Sequence, residues 1–137
     1  QLGSLRSQES TPLVVGNTLY VTSSHGPKHV FAVDARTGTV RWRYSPEVPA
    51  GIDQFACCDV NNRGPAYHEG KLLVGRLDGH VVALDAKTGK ELWKRYLGLQ
   101  VANSPITYTV DGQQYVTISA GHALFTFGLP RTGTTGR

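Results

Sequence analysis

Two copies of one eleven-residue pattern constrain this chain more than any other feature it has. Ala32-Val-Asp-Ala-Arg-Thr-Gly-Thr-Val-Arg-Trp42 and Ala83-Leu-Asp-Ala-Lys-Thr-Gly-Lys-Glu-Leu-Trp93 share the form A-x-D-A-x-T-G-x-x-x-W, with their tryptophans 51 residues apart. In each copy the aspartate can accept hydrogen bonds from its own backbone, and the glycine can take the left-handed conformation. The centre of the pattern therefore reads as a tight turn joining two strands.

The residues around each copy repeat as well. Pro12–Val15, Thr18–Ser23, His29–Asp34 and Val40–Tyr44 read as four strands, and Pro65–His68, Lys71–Arg76, His80–Asp85 and Lys90–Tyr96 as four more. Turn residues stand between them at Gly16-Asn17, Glu69-Gly70, Asp78-Gly79 and Thr88-Gly89. A third, partial copy follows: Pro105–Val110, a turn at Asp111-Gly112, Gln114–Ser119 and Ala123–Phe127, without the tryptophan ending. Four-stranded units that recur every 40 to 50 residues or so are what β-propeller blades look like in sequence. The expected fold class is all-β, a partial propeller of about three four-stranded antiparallel blades.

One domain over residues 11–129 is expected, with blades near 11–45, 65–96 and 104–128, a polar segment 1–10 and a flexible tail 130–137. A small sheet cannot bury its apolar face alone, so blades must stack, and Trp42 and Trp93 are suited to wedge between them. Three blades do not close a ring. The open ends predict association with a second copy or a partner protein, or membership of something larger.

Composition narrows the function classes. At 137 residues the chain suits one domain, and 16 glycines and 7 prolines fit short strands with tight turns. No apolar run is long enough for a bilayer-spanning helix. Gln1 opens a polar segment, so an export signal was removed or never present. The net charge of +4 comes from scattered basic residues, with no basic stripe interleaved with aromatics for a nucleic acid. The five histidines have no paired spacing for zinc, and Ser23-Ser24-His25 lacks a nucleophile elbow around it.

Between the first two repeats the strand rhythm stops. Residues 46–64 form a long loop, of the kind that is functional or disordered, and it contains Phe55-Ala-Cys-Cys-Asp-Val-Asn-Asn-Arg-Gly64. Cys57 and Cys58 are neighbours. A bridge between them would close a strained eight-membered ring, which surrounding structure must hold; adjacency alone favours two unbonded thiols in a loop, one of them buried as a small apolar group. Asp53 and Asp59 read as solvated or turn-bonding acids.

The two blade motifs with C-C-D-V-N-N-R-G between them closely resemble the pyrroloquinoline quinone (PQQ)-dependent alcohol dehydrogenases. The similarity extends to Gln8-Glu-Ser-Thr-Pro-Leu-Val-Val15 and Thr18-Leu-Tyr-Val-Thr22. Ser104-Pro-Ile-Thr-Tyr108, Asp111-Gly-Gln-Gln-Tyr-Val116 and Ser119-Ala-Gly121 look like the last blade of that family, so residues 8–129 are covered.

The resemblance implies that Cys57 and Cys58 form a disulfide lying flat against the PQQ ring. It implies that Arg63 hydrogen-bonds the reactive quinone oxygens, where a permanently charged planar donor suits an oxygen gaining charge. Glu9 matches a glutamate at the cofactor's polar edge; by itself it is equally an exposed acid near the terminus. The implied reaction is oxidation of a primary alcohol. Hydride passes to the quinone, a carboxylate base takes the hydroxyl proton, and a calcium or lanthanide ion polarises the quinone carbonyl. A periplasmic setting, which would let the bridge form, is implied too.

The sequence departs from the family in one large respect. A full catalytic chain is several times longer, whereas this one passes from the second blade, ending near Tyr96, through Leu97–Asn103 to the last blade. No aspartate here matches the catalytic base, and no Glu/Asn/Asp set matches the metal ligands, so no catalytic or metal residue is assigned. The expectation is an oxidoreductase-family chain that is incomplete alone, or a non-catalytic assembly module derived from that family.

Overall fold

The structure, a computed structural model, describes residues 9–23, 29–51 and 63–130, with His29 described through its backbone alone. Eleven strands and no helix occur among these residues. The first sheet orders β1 (Leu13–Val15), β2 (Thr18–Ser23), β3 (His29–Asp34) and β4 (Val40–Tyr44) side by side. The second repeats that order with β5 (Ala66–His68), β6 (Lys71–Gly75), β7 (His80–Asp85) and β8 (Glu91–Tyr96). The third contains β9 (Ile106–Val110), β10 (Gln113–Ala120) and β11 (Ala123–Gly128). All neighbouring strands pair antiparallel. The fold is the all-β, partial-propeller architecture that the repeats predict.

Among the described residues the third sheet has three strands, as the partial third copy predicts, and the turn-and-tryptophan ending from which β4 and β8 arise does not follow β11 in the sequence. Strand β6 stops at Gly75, one residue short of the sequence expectation: the Arg76 amide donates to the His80 carbonyl at 2.7 Å, so Arg76 already belongs to the turn.

The sheets stack face to face in chain order. Tyr20, Val30 and Ala32 of the first sheet pack against Leu72, Val74, Val82 and Leu84 of the second. The second sheet's other face packs Leu73 and Ala83 against Val116, and Val81 against Ile118 and Ala120 of the third. A sheet covered on both sides needs apolar side chains at successive positions rather than alternate ones, which explains the runs Leu72-Leu73-Val74 and Val81-Val82-Ala83-Leu84. Each buried leucine or valine among them contributes about 1.5–3 kcal/mol over leaving it in water.

Among the described residues the outer faces of the two end sheets carry exposed apolar side chains, although Phe31 and Val33 on the first sheet's outer face are buried. On the outer face of the third sheet Ile106, Tyr108, Val110 and Leu124 are exposed, and on that of the first sheet Val14 and Val40 are.

Candidate functional site

The two motif copies fold into the same turn. Asp34 Oδ1 accepts the amides of Arg36 at 2.9 Å and Thr37 at 3.0 Å, and the Gly38 amide donates back to the Asp34 carbonyl at 2.9 Å. Asp85 Oδ1 accepts the amides of Lys87 at 3.0 Å and Thr88 at 2.7 Å, and the Gly89 amide donates to the Asp85 carbonyl at 2.8 Å. Both glycines sit at left-handed φ, 74° and 75°.

A bulge follows the same place in each strand pair, at Ala32/Val33 and at Ala83/Leu84. The donors around each aspartate hold its carboxyl below the usual range. For Asp34 the largest cause is the Arg41 guanidinium, and for Asp85 it is the Thr88 hydroxyl.

The first repeat's tryptophan docks on the second repeat's turn. Trp42 Nε1 donates to the Ala86 carbonyl at 3.1 Å, and the Tyr20 hydroxyl reaches the same oxygen at 2.9 Å. The indole lies over Gly89, where a Cβ would fall 2.6 Å from Trp42 Cε3. The third sheet offers no such turn, so Trp93 meets Phe127 edge-on at 5.6 Å and stays 41% exposed. Docking a tryptophan on a neighbouring turn thus needs the pattern on both partners, and the sequence supplies that pairing once.

Of the four candidate cofactor residues, two lie together. Arg63 Nη1 is 2.7 Å from Glu9 Oε2, although 54 residues separate them in the chain. Arg63 Nε donates to the Ala102 carbonyl at 3.0 Å, and the Arg63 carbonyl accepts the Thr11 amide at 3.0 Å. Gly64 fixes that approach: its φ is 125°, and a Cβ there would sit 2.5 Å from the Thr11 carbonyl.

The guanidinium is therefore held by three elements: the segment before β1, the chain after the loop, and the link between the second and third sheets. It remains 38% exposed, and Glu9 45%. An oriented, solvent-facing cation and anion can bind a polar ligand edge, the guanidinium donating to oxygens and the carboxylate accepting from N–H or O–H groups. Cys57 and Cys58, with Asp53 and Asp59, lie outside the described residues.

A second polar cluster escapes sequence reasoning. Arg76 and Asp78 form an ion pair with side chains only 7% and 5% exposed. Arg76 Nη2 also donates to the Glu47 carbonyl at 3.0 Å, and Nη1 lies 3.4 Å from the Tyr44 hydroxyl. Tyr44 in turn donates to Glu91 Oε2 at 2.5 Å. Burial, and then that bond to a carboxylate, push the Tyr44 phenol above its usual range, so it serves as a neutral donor. His80 Nδ1 is 3.2 Å from Asp78 Oδ1 without the alignment of a hydrogen bond. The one available signal was an arginine directly after the apolar run Leu72–Gly75.

Among the described residues no group of three or more His, Cys, Asp and Glu is placed to hold a metal ion.

The stacked four-stranded sheets and their shared turn define a class, the quinoprotein-type propellers. A family model described as Outer membrane protein assembly factor BamB matches residues 28–134. The 1-butanol dehydrogenase (cytochrome c) of Thauera butanivorans is 52% identical over 94 residues, which are 69% of this chain and 13% of that protein. The lanthanide-dependent methanol dehydrogenase of Methylacidiphilum fumariolicum is 50% identical over 94 residues, 67% of this chain and 15% of that protein. In structure, a europium-containing methanol dehydrogenase superposes with a TM-score of 0.76 at 38% identity, covering 93% of this chain and 24% of the other. The chain belongs to the PQQ-dependent alcohol dehydrogenase family and spans a small part of its relatives' length.

Proposed function

We propose that this chain supplies one wall of a PQQ-binding pocket in a periplasmic alcohol dehydrogenase of the quinoprotein type. Arg63 and Glu9 form the polar edge of that wall, and Cys57 and Cys58 form its flat face. The observation that carries the reading is the Arg63–Glu9 pair at 2.7 Å, set at the end of the segment with the cysteines and held by the backbone at Thr11 and Ala102. The pair fits a quinone cofactor chemically, because the guanidinium keeps exposed N–H groups to donate to ring oxygens while Glu9 fixes its orientation. Bound PQQ would supply the hydride acceptor for oxidation of a small primary alcohol. Arg63 would orient the cofactor and favour charge on its oxygens, and Glu9 would keep the guanidinium in place and accept from a ligand N–H or O–H. The metal ligands and the catalytic base are not matched by residues of this sequence, so turnover would draw on protein beyond this chain.

The test is an absorbance titration of PQQ into the chain, with calcium or a lanthanide present, followed by a dye-linked assay with a primary alcohol. Saturable binding that weakens in Glu9→Gln is the expected result; absence of any saturable change removes the cofactor reading.

The exposed Ile106, Tyr108, Val110 and Leu124 favour a second reading, a propeller-type assembly module that associates with a copy of itself or a partner through its outer faces. Solution mass tests it. A monodisperse monomer at high concentration, with no PQQ binding, would leave neither reading standing.

A further inference from the structure

Arg76 is the one arginine buried among the described residues, and its side chain contacts both its own turn and the chain leaving β4. Its charge is matched by the buried carboxylate of Asp78, two residues on. That pair balances the charge, while the remaining N–H groups of a buried guanidinium still call for acceptors. The guanidinium does more: it also hydrogen-bonds the Glu47 carbonyl and approaches the Tyr44 hydroxyl, both on the chain leaving β4. Tyr44 is tied on to Glu91 of β8, so the end of the first sheet is bound to the second by a connected polar path. Residues 46 and 47, with Pro49, line a 530 Å³ cleft whose other walls include Arg76, His80, Lys94 and Tyr96.

We propose that Arg76 is a positioning residue, which fixes the path of residues 44–51 through the Glu47 carbonyl and the Tyr44 hydroxyl. The next residues in the chain lead to Cys57 and Cys58, and Arg63 follows five residues after Cys58. The loop's two ends are thus held by two arginines bonded to different carbonyls, those of Glu47 and Ala102. Because the first contact is to a backbone carbonyl, it sets where the chain runs whatever side chain stands at position 47. The shape of arginine is needed for this. Its planar fork can serve the Asp78 carboxylate, a carbonyl and a hydroxyl together, whereas a lysine ammonium on a flexible stem keeps the ion pair and loses the fork. The consequence for PQQ rests on the function proposed above; the consequence for residues 44–51 does not.

Hydrogen exchange on the full chain separates the two. In Arg76→Lys the amides within 45–51 should exchange about tenfold faster, the scale set by one lost hydrogen bond to a charged group. Those of β6 and β7 should keep their protection, and PQQ affinity should fall in parallel. Tyr44→Phe, which leaves the Arg76–Asp78 pair intact, should loosen the same amides to a smaller extent. Unchanged exchange in 45–51 in both variants overturns the proposal. If Arg76→Lys loses protection throughout, Tyr44→Phe decides by the same readout. If the unaltered chain binds no PQQ, the cofactor reading fails while the exchange result still decides the role of Arg76.

Discussion

Replacing Gly89 by alanine should destabilise the chain more than the same change at Gly38, and the difference measures how the first blade docks on the second. The two glycines occupy equivalent turns with nearly identical φ, 75° and 74°. An alanine at either carries the penalty of a Cβ in the left-handed region, about 1–2 kcal/mol. At Gly38 nothing lies within 4 Å of that Cβ, so the cost ends there. At Gly89 the new methyl would fall 2.6 Å and 2.8 Å from Cε3 and Cδ2 of Trp42, inside the contact distance of two carbons.

Trp42 cannot slide away freely, because its indole N–H is bonded to the Ala86 carbonyl three residues before the clash. Overpacking of this kind adds about 1–3 kcal/mol. Gly38→Ala is therefore expected to cost about 1–2 kcal/mol and Gly89→Ala about 2–5 kcal/mol by urea unfolding with an unchanged slope. Trp42→Leu in the Gly89→Ala background should recover much of the excess. Equal losses at the two glycines would refute the docking geometry.

Trp42→Ala should cost about 3–5 kcal/mol, the usual range for a packed aromatic, and Trp93→Ala clearly less, since Trp93 is 41% exposed and lacks the glycine platform; matched unfolding curves check this. Hydrogen bonds in the fold lower the pKa values of Asp34 and Asp85 from the ordinary 3.8, so their stabilisation is present above that value and is lost as pH falls below it through the lowered folded values. The midpoint of unfolding should drop on acidification below about pH 4, less steeply in Asp34→Asn and Asp85→Asn, and equal slopes in all three proteins would contradict the turn assignment. If Cys57 and Cys58 are bridged, alkylation should add mass only after reduction; labelling of both thiols without reductant would exclude the bridge.

Much of the scaffold was legible because two short-range signals agree along the chain. Alternating or fully apolar strands give the sheets, and aspartate and glycine at fixed offsets give the turns, so β2, β3, β4 and β7 begin and end where the pattern places them. The missing strand of the third sheet was legible too, as the missing tryptophan ending. What the pattern could not convey is pairing across distance. Nothing at position 9 or position 63 announces a 2.7 Å ion pair between them; resemblance assigned Arg63 and Glu9 to different parts of a cofactor, and the fold brings the two side chains into contact.

Arg76 was invisible for a related reason. Its partners are a backbone carbonyl, which carries no residue identity, and a tyrosine 32 residues earlier that reads as an ordinary strand residue. The differing fates of Trp42 and Trp93 follow from what the next repeat offers, and the chain shows that only once the sheets are stacked.

The most direct measurement is equilibrium dialysis of PQQ against the chain and two charge-matched variants, Arg63→Met and Arg36→Met. Both remove one positive charge, but Arg36 is exposed on the β3–β4 turn, where its amide bonds Asp34. Saturable binding that is lost in Arg63→Met and kept in Arg36→Met is the predicted outcome. Equal binding by all three proteins, or none by the unaltered chain, would contradict the assignment of Arg63 and Glu9 to a cofactor wall.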